Sequence, residues 1–442
     1  MKHKESPMLS ALLYTLVAIS LFLTVRILST PSTVGLSQNS TTSVSANLTN
    51  TKKVEDVFAP IRMIVHTDKR MYLTQEPEIM QSVNELLSEL LSESVFDGIE
   101  GVSTYTQEDY DALILSPTQL EIRFAEEVPL ELLSRYFTNL QEEYYDEGVD
   151  RIIFNSKEED PVYLLNDETK QVFTVARPAN LLQSLAELYE SQKEAYMEVE
   201  SYQSESSISY LPTEAITIEK LVYLVEKPSN SYFIDLLFDD TTDLKDNGSD
   251  AFVSYSDNIS ELSIDKETGQ LSYYRNILDA EDLPDYRLIR DSFHEIKMLD
   301  NWTNPFYFYG FDKENDNVYY RRYVNGYPIF GEVDYGLTRI RMSGSSMTEL
   351  QFLTQVIQTP LTDRGEDVTL LSGQDLLAAL NAGGYSSQEI QMIALGYDWT
   401  FSEESNRLVN LTPKWFIKID GVWKALDQWI GGTETEADDS GF

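Results

Sequence analysis

FYFYGFDKENDNVYYRRYVNGYPIFG, residues Phe306 to Gly331, is the stretch whose reading decides the fold. Two aromatic runs flank a polar DKENDN segment, and Asn325-Gly326 follows the second run. Asn-Gly favours the positive φ values that a two-residue hairpin turn demands, so strands carry this region. Alternation then sets Tyr319, Arg321 and Tyr323 on one face of the second run and Tyr320 and Arg322 on the other. One face must pack into its own domain. The other, with Tyr319, Arg321, Tyr323 and Tyr327, is a candidate partner interface, because buried interface cores favour aromatic residues.

Moving outward, the same period-two pattern recurs in AITIEKLVYLVEK, SYFIDLLF, AFVSYS and SELSIDKETGQLSYYRN, with turns at Asn247-Gly248 and Thr268-Gly269. DYRLIRDSFHEIKML reads as a helix that leads into the hairpin. Beyond the hairpin, LSGQDLLAALNAGGY reads as a helix capped by Ser372 and ended by Gly383-Gly384. SSQEIQMIALGYDW opens with a capping box, Ser386 and Glu389. LVNLTPKWFIKIDGVWKAL is a strand pair turning at Asp420-Gly421, with Trp415 and Trp423 sealing its core. Upstream, VEDVFAPIRMIVH begins the folded region with a strand-like run, and PEIMQSVNELLSELLSE is an amphipathic helix. PLELLSRYFTNLQEEYY predicts a second helix, DALILSPTQLEIRFA two short strands, and PVYLLNDETKQVFTVA a hairpin around Asn166-Asp167. A third helix is expected over about residues 180–199.

Composition bounds the function. The chain has 442 residues, 42% hydrophobic and 12% aromatic with 27 tyrosines, which is ample for packed cores. A net charge of −41 repels phosphate backbones and anionic lipid, excluding direct nucleic-acid binding. There is no cysteine, hence no thiolate metal site, thiol nucleophile or disulfide. The histidines are His3, His66 and His294, and His66 and His294 read as hydrogen-bonding side chains. MSGSSM, Met342 to Met347, lacks the second glycine of a nucleophile elbow and reads as a polar turn. DLKDNGSDAFVS, Asp243 to Ser254, places glycine where a calcium loop needs it. Lys245 and Ser254 stand where oxygen ligands belong, so this too is a solvated turn. No catalytic, metal or cofactor residues are assigned.

LSALLYTLVAISLFLTVRIL, Leu9 to Leu28, carries no charge before Arg26 and is long enough to cross about 30 Å of hydrocarbon as a helix. The following STPSTVGLSQ offers no clear cleavage site, so the segment reads as an uncleaved single-pass anchor. Lys2 and Lys4 favour a cytoplasmic N-terminus, which puts everything beyond the span outside the cell. Ala11, Thr15, Ala18 and Phe22 recur at helical spacing, and small residues so placed admit a neighbouring helix; they are candidate contacts with a membrane partner.

These features together resemble the YycH family. The resemblance rests on the single span, EDVFAP opening the folded part, VYYRRYVNGYPIFG, and the terminal LTPKWFIKIDGVWKAL, taken in order over nearly the whole chain. It implies an α+β protein anchored in the cell membrane that regulates the sensor histidine kinase WalK (YycG) of an essential cell-wall two-component system. The resemblance further implies a related YycI-like membrane protein as partner, contact through transmembrane helices, and no enzymatic activity. The NGYPI strand-turn also looks like PepSY-type domains. The expected organisation is a short cytoplasmic N-terminus (1–8), the span (9–28) and a Ser/Thr/Asn-rich linker (29–53). Three extracytoplasmic α+β units follow (54–203, 204–295 and 296–430, the last two strand-rich and PepSY/YycI-like), then an acidic tail (431–442). The competing reading is an anchored binding module or wall-modifying enzyme unrelated to kinase control.

Overall fold

The computed structural model describes residues 52–431 apart from 89–94, 157–158, 179, 205–207, 279–280, 298–303, 332–334, 362–363 and 404. The expected span with Ala11, Thr15, Ala18 and Phe22, the linker to residue 51 and the tail from 432 lie outside the described residues. Among the described residues no helix is long and apolar enough to cross a membrane.

The stretch that decides the fold forms strands Phe306–Asp312, Asn317–Val324 and Tyr327–Phe330. Asn325 and Gly326 both take positive φ, 49° and 79°, as the hairpin turn requires. Around them runs a mixed sheet in which Gln270–Arg275 pairs with Ser346–Leu353, and Ile216–Glu226 pairs with Ser405–Ile419. These pairings correct the expected boundary between 204–295 and 296–430. The central strands find their backbone partners in the later segment, so both stretches share one sheet. A nine-stranded antiparallel sheet precedes it, running from Arg62 to Pro212 with Gln119–Pro129 at its centre.

Helix Pro77–Ser88 buries Ile79, Val83 and Leu87, the stripe its spacing predicts, while helix Leu181–Ser191 buries Leu181 and Leu185 and stops short of the expected end near 199, since Met197–Gln203 is a strand. Helix Asp285–Ile296 lies where expected and buries Leu288, Ile289, Phe293 and Ile296. Four local expectations are corrected. SYFIDLLF is a helix, Asn230–Leu237, because its buried residues Phe233 and Leu237 are four apart. DALIL belongs to helix Gln107–Ile114, whose Thr106 accepts a cap hydrogen bond from the Asp109 N–H. PLELLSRYF is a short 3-10 stretch, Leu130–Tyr136, since the Leu130 and Glu131 amides donate to Glu147 and Tyr145 carbonyls. The Ser386–Glu389 hydrogen bonds form but head strand Ile390–Ser402, which the long partner strand Ser405–Ile419 holds extended.

Entry into the folded body is anchored. Residues Val54–Val57 make one helical turn, and Phe58 beyond it packs against Phe293, Phe308 and Tyr320 at centroid distances of 6.3, 5.2 and 6.4 Å. One continuous apolar core holds Phe58 together with residues of both sheets. Deleting so enclosed a ring leaves a cavity as well as losing its transfer energy. Phe58→Ala should cost about 3–5 kcal/mol, seen as a lower urea midpoint at unchanged slope.

Candidate functional cleft

The central strand of the first sheet, Gln119–Pro129, pairs regularly with Gly148–Asn155 up to Arg123 and resumes at Val128. The intervening break frees Ala125, Glu126 and Glu127 from the ladder, and Glu126 and Glu127 face a cleft between the two sheets. From the second sheet, strand Asn317–Val324 contributes Tyr319 and Arg321, and the terminal hairpin contributes Lys418, Gly421 and Trp423. Asp420 and Gly421 turn that hairpin with φ of 50° and 77°. The cleft has three lobes of about 810, 640 and 570 Å³, all lined by Glu126 and Lys418.

Beneath the second lobe lies a buried ionic lattice. Arg151, fully enclosed, donates from Nε to Asp167 Oδ1 at 2.7 Å and from a terminal nitrogen to Asp167 Oδ2 at 2.6 Å. Its other terminal nitrogen reaches Glu121. Arg123 donates to the same Asp167 carboxylate at 3.1 Å, and the Tyr110 hydroxyl to Asp167 at 2.8 Å. Tyr210 donates to Glu121, and His66 Nε2 lies 3.5 Å from that carboxylate. Burial, the largest single influence, raises both acids. Arg151 and Arg123, together with the hydrogen bonds from His66 to Glu121 and from Arg151 and Tyr110 to Asp167, outweigh it and hold both acids down at about 2. Two guanidiniums against two carboxylates leave the lattice balanced, and it ties together the strands that carry them. Asp150 differs, for burial and the neighbouring Asp167 charge push it well up.

Glu126 is the titratable group of the cleft floor. Burial raises it, against the pull of Lys418, from 4.5 to about 7.

The face expected to be free is not. Arg321 and Tyr323 are buried, Tyr319 and Tyr327 half-buried. The reason is that the hairpin docks on the chain's own first half: a Cβ on Gly326 would collide with the Gln75 carbonyl, and burial beside Tyr323 lowers Arg62. Tyr320, on the opposite face, shares a hydrogen bond of 2.8 Å with Ser292 of helix Asp285–Ile296. Of the two histidines among the described residues, His66 is buried and His294 exposed. The segment Asp243 to Ser254, expected as a solvated turn, is exposed from Lys245 to Phe252 and tightly turned, with Asp246 accepting from the Gly248 N–H. No group of three His, Asp or Glu among the described residues can hold a metal. Trp415 is buried as expected, while Trp423 covers Phe330 at the mouth of the cleft. Glu121, Arg151, Asp167, Glu126 and Lys418 belong to no motif. The signal available was a lone cation heading the apolar run RIIFN.

The folded protein holds a proton on Glu126 that the unfolded chain releases near 4.5. This group therefore opposes folding increasingly as pH rises from about 4.5 to about 7. Glu126→Gln should melt about 1–3 °C above the wild type near pH 8. Near pH 4 the two should melt alike.

Residues 7–194 match the family described as YycH protein, N-terminal domain, and residues 206–432 match YycH protein, C-terminal domain. The fold is similar to the crystal structure of YycH from Bacillus subtilis, with a TM-score of 0.69 at 15% identity, covering 85% of this chain and 97% of that one. No curated protein sequence matches.

Proposed function

Because the chain belongs to the YycH family, we propose that it is a membrane-anchored, non-enzymatic regulator of a WalK-type sensor kinase, acting through its span and its outer domains together with a YycI-like partner. At the level of the family, YycH proteins are accessory regulators of the WalK system. The observation that carries the finer reading is the anchored entry of the chain. Phe58 ties the first folded residues into the core that both sheets share. A displacement of the outer body thereby moves the chain entry at residue 54 with it.

In this reading the N-terminus is cytoplasmic, residues 9–28 cross the membrane, and Ala11, Thr15, Ala18 and Phe22 meet the helices of the kinase. A helix contact biases a kinase only by binding one of its arrangements better than the other. A coupling of about 1–3 kcal/mol changes output some 5–150-fold.

The test exchanges residues 9–28 for an unrelated membrane anchor in living cells and reads the transcription controlled by the kinase. The exchanged protein should reach the membrane at normal abundance yet lose its effect. Normal regulation by the exchanged protein would end the helix mechanism, and failure of the native protein to co-purify with the kinase from solubilised membranes would end the kinase reading.

A further inference from the structure

Arg151 and Arg321 are the two most enclosed arginines among the described residues, and the fold treats them differently. Arg151, 0% exposed, meets the carboxylates of Asp167 and Glu121. Arg321, 1% exposed, meets no carboxylate among the described residues. One of its terminal nitrogens donates to the Ile329 carbonyl at 2.7 Å. Its guanidinium lies between the rings of Tyr309 and Phe330, 4.4 and 4.3 Å from their centroids. The rings cover the faces of the cation and recover part of its desolvation cost. They leave the N–H groups in its plane unserved, and Nε has no hydrogen-bond partner. A buried donor left so is expensive, and burying an unpaired charge more so.

Arg321 lines the largest lobe of the cleft, and Lys418, which makes no ion pair among the described residues, lines the same lobe. The two acids there do not neutralise them. Asp398 is engaged by Lys414 at 2.9 Å, and Glu126 is about half protonated near neutrality. Lys424 lines the same lobe, so its described lining carries more positive than negative side chains and suits an anionic occupant.

We propose that this cleft binds a carboxylate-bearing ligand, its carboxylate drawn to Arg321 and Lys418, with the rings of Tyr319 and Trp423 as walls. A planar carboxylate matches the guanidinium edge. A single negative charge suits a floor that also carries Glu126 and Asp398, where a phosphate dianion is repelled. The carboxylate belongs either to a small organic acid or to the free C-terminus of a peptide. The inference stands on the cleft alone and is independent of the kinase reading.

Saturation-transfer NMR on the full chain in detergent micelles tests it with three observed probes, benzoate, acetyl-trialanine as the free acid and the same peptide as its carboxamide, and with inorganic phosphate as a competitor read through loss of the acid's signal. One or both acids should bind, and the tighter of the two identifies the source. The carboxamide should not bind, and phosphate should bind more weakly than the acids. Lys418→Gln and Arg321→Lys should each weaken acid binding about tenfold or more, as loss of a charge-assisted hydrogen bond does. Thermal melts establish that each variant is folded; if Arg321→Lys is not, the half-exposed Lys418 decides. Three results would overturn the site: no acid binding at millimolar concentration, carboxamide or phosphate binding equal to that of the acids, or a folded Lys418→Gln that binds like the wild type.

Discussion

The aromatic contact at the entry of the chain is the constraint on which the rest depends. Phe58 meets Phe293 from the helix and Phe308 and Tyr320 from two strands of the second sheet. Tyr320 is stacked on Phe306 in turn, 5.3 Å between centroids. Aromatic pairs at such distances add to area burial by about 0.5–1.5 kcal/mol each, so the cluster is stabilising beyond its size. It also fixes geometry. With Phe58 in place, the strands that carry Tyr319 and Arg321 stand beside the broken strand that carries Glu126, and the cleft between them has a defined width.

Elements with a strong period and clean ends could be read from the sequence. The Asn325-Gly326 and Asp420-Gly421 turns, the Ser372 cap and the stripe of helix Asp285–Ile296 all sit where residue chemistry puts them. Expectations failed where backbone partners from distant segments decided the outcome. Leu130 and Glu131 give their amides to residues 147 and 145 instead of an α-helical turn. Ser386 and Glu389 make the bonds of a helix start, yet the next residues have a fifteen-residue strand to pair with. Short apolar runs such as SYFIDLLF satisfy both periods, and only the packing of Phe233 and Leu237 separates them.

The site was less legible than the fold, for a related reason. Alternation assigned Tyr319, Arg321 and Tyr323 to one face correctly, but the assumption that a sheet has one wet face did not hold. Strand Asn317–Val324 is covered on both sides, by helix Asp285–Ile296 through Tyr320 and by the first half of the chain around Gln75. A strand buried on both faces carries no sign of it when its inward residues are tyrosine and arginine. Glu126 and Lys418 come from strands separated by almost three hundred positions, and no spacing rule could bring them together.

The two enclosed arginines show what the fold does with charge. Around Arg151 the protein has converted a buried cation into a lattice in which each of its three guanidinium nitrogens reaches an acceptor. Breaking such a lattice by removing one partner costs about 3–5 kcal/mol, because the remaining charges stay enclosed and unpaired. The chain thus had acids to spare and the means to place them. Against that background the aromatic sandwich around Arg321 is a different solution. It tolerates the charge without pairing it to a carboxylate among the described residues, in a side chain that lines a cavity. A cation satisfied internally would stabilise the body more, but would have nothing left to offer a ligand.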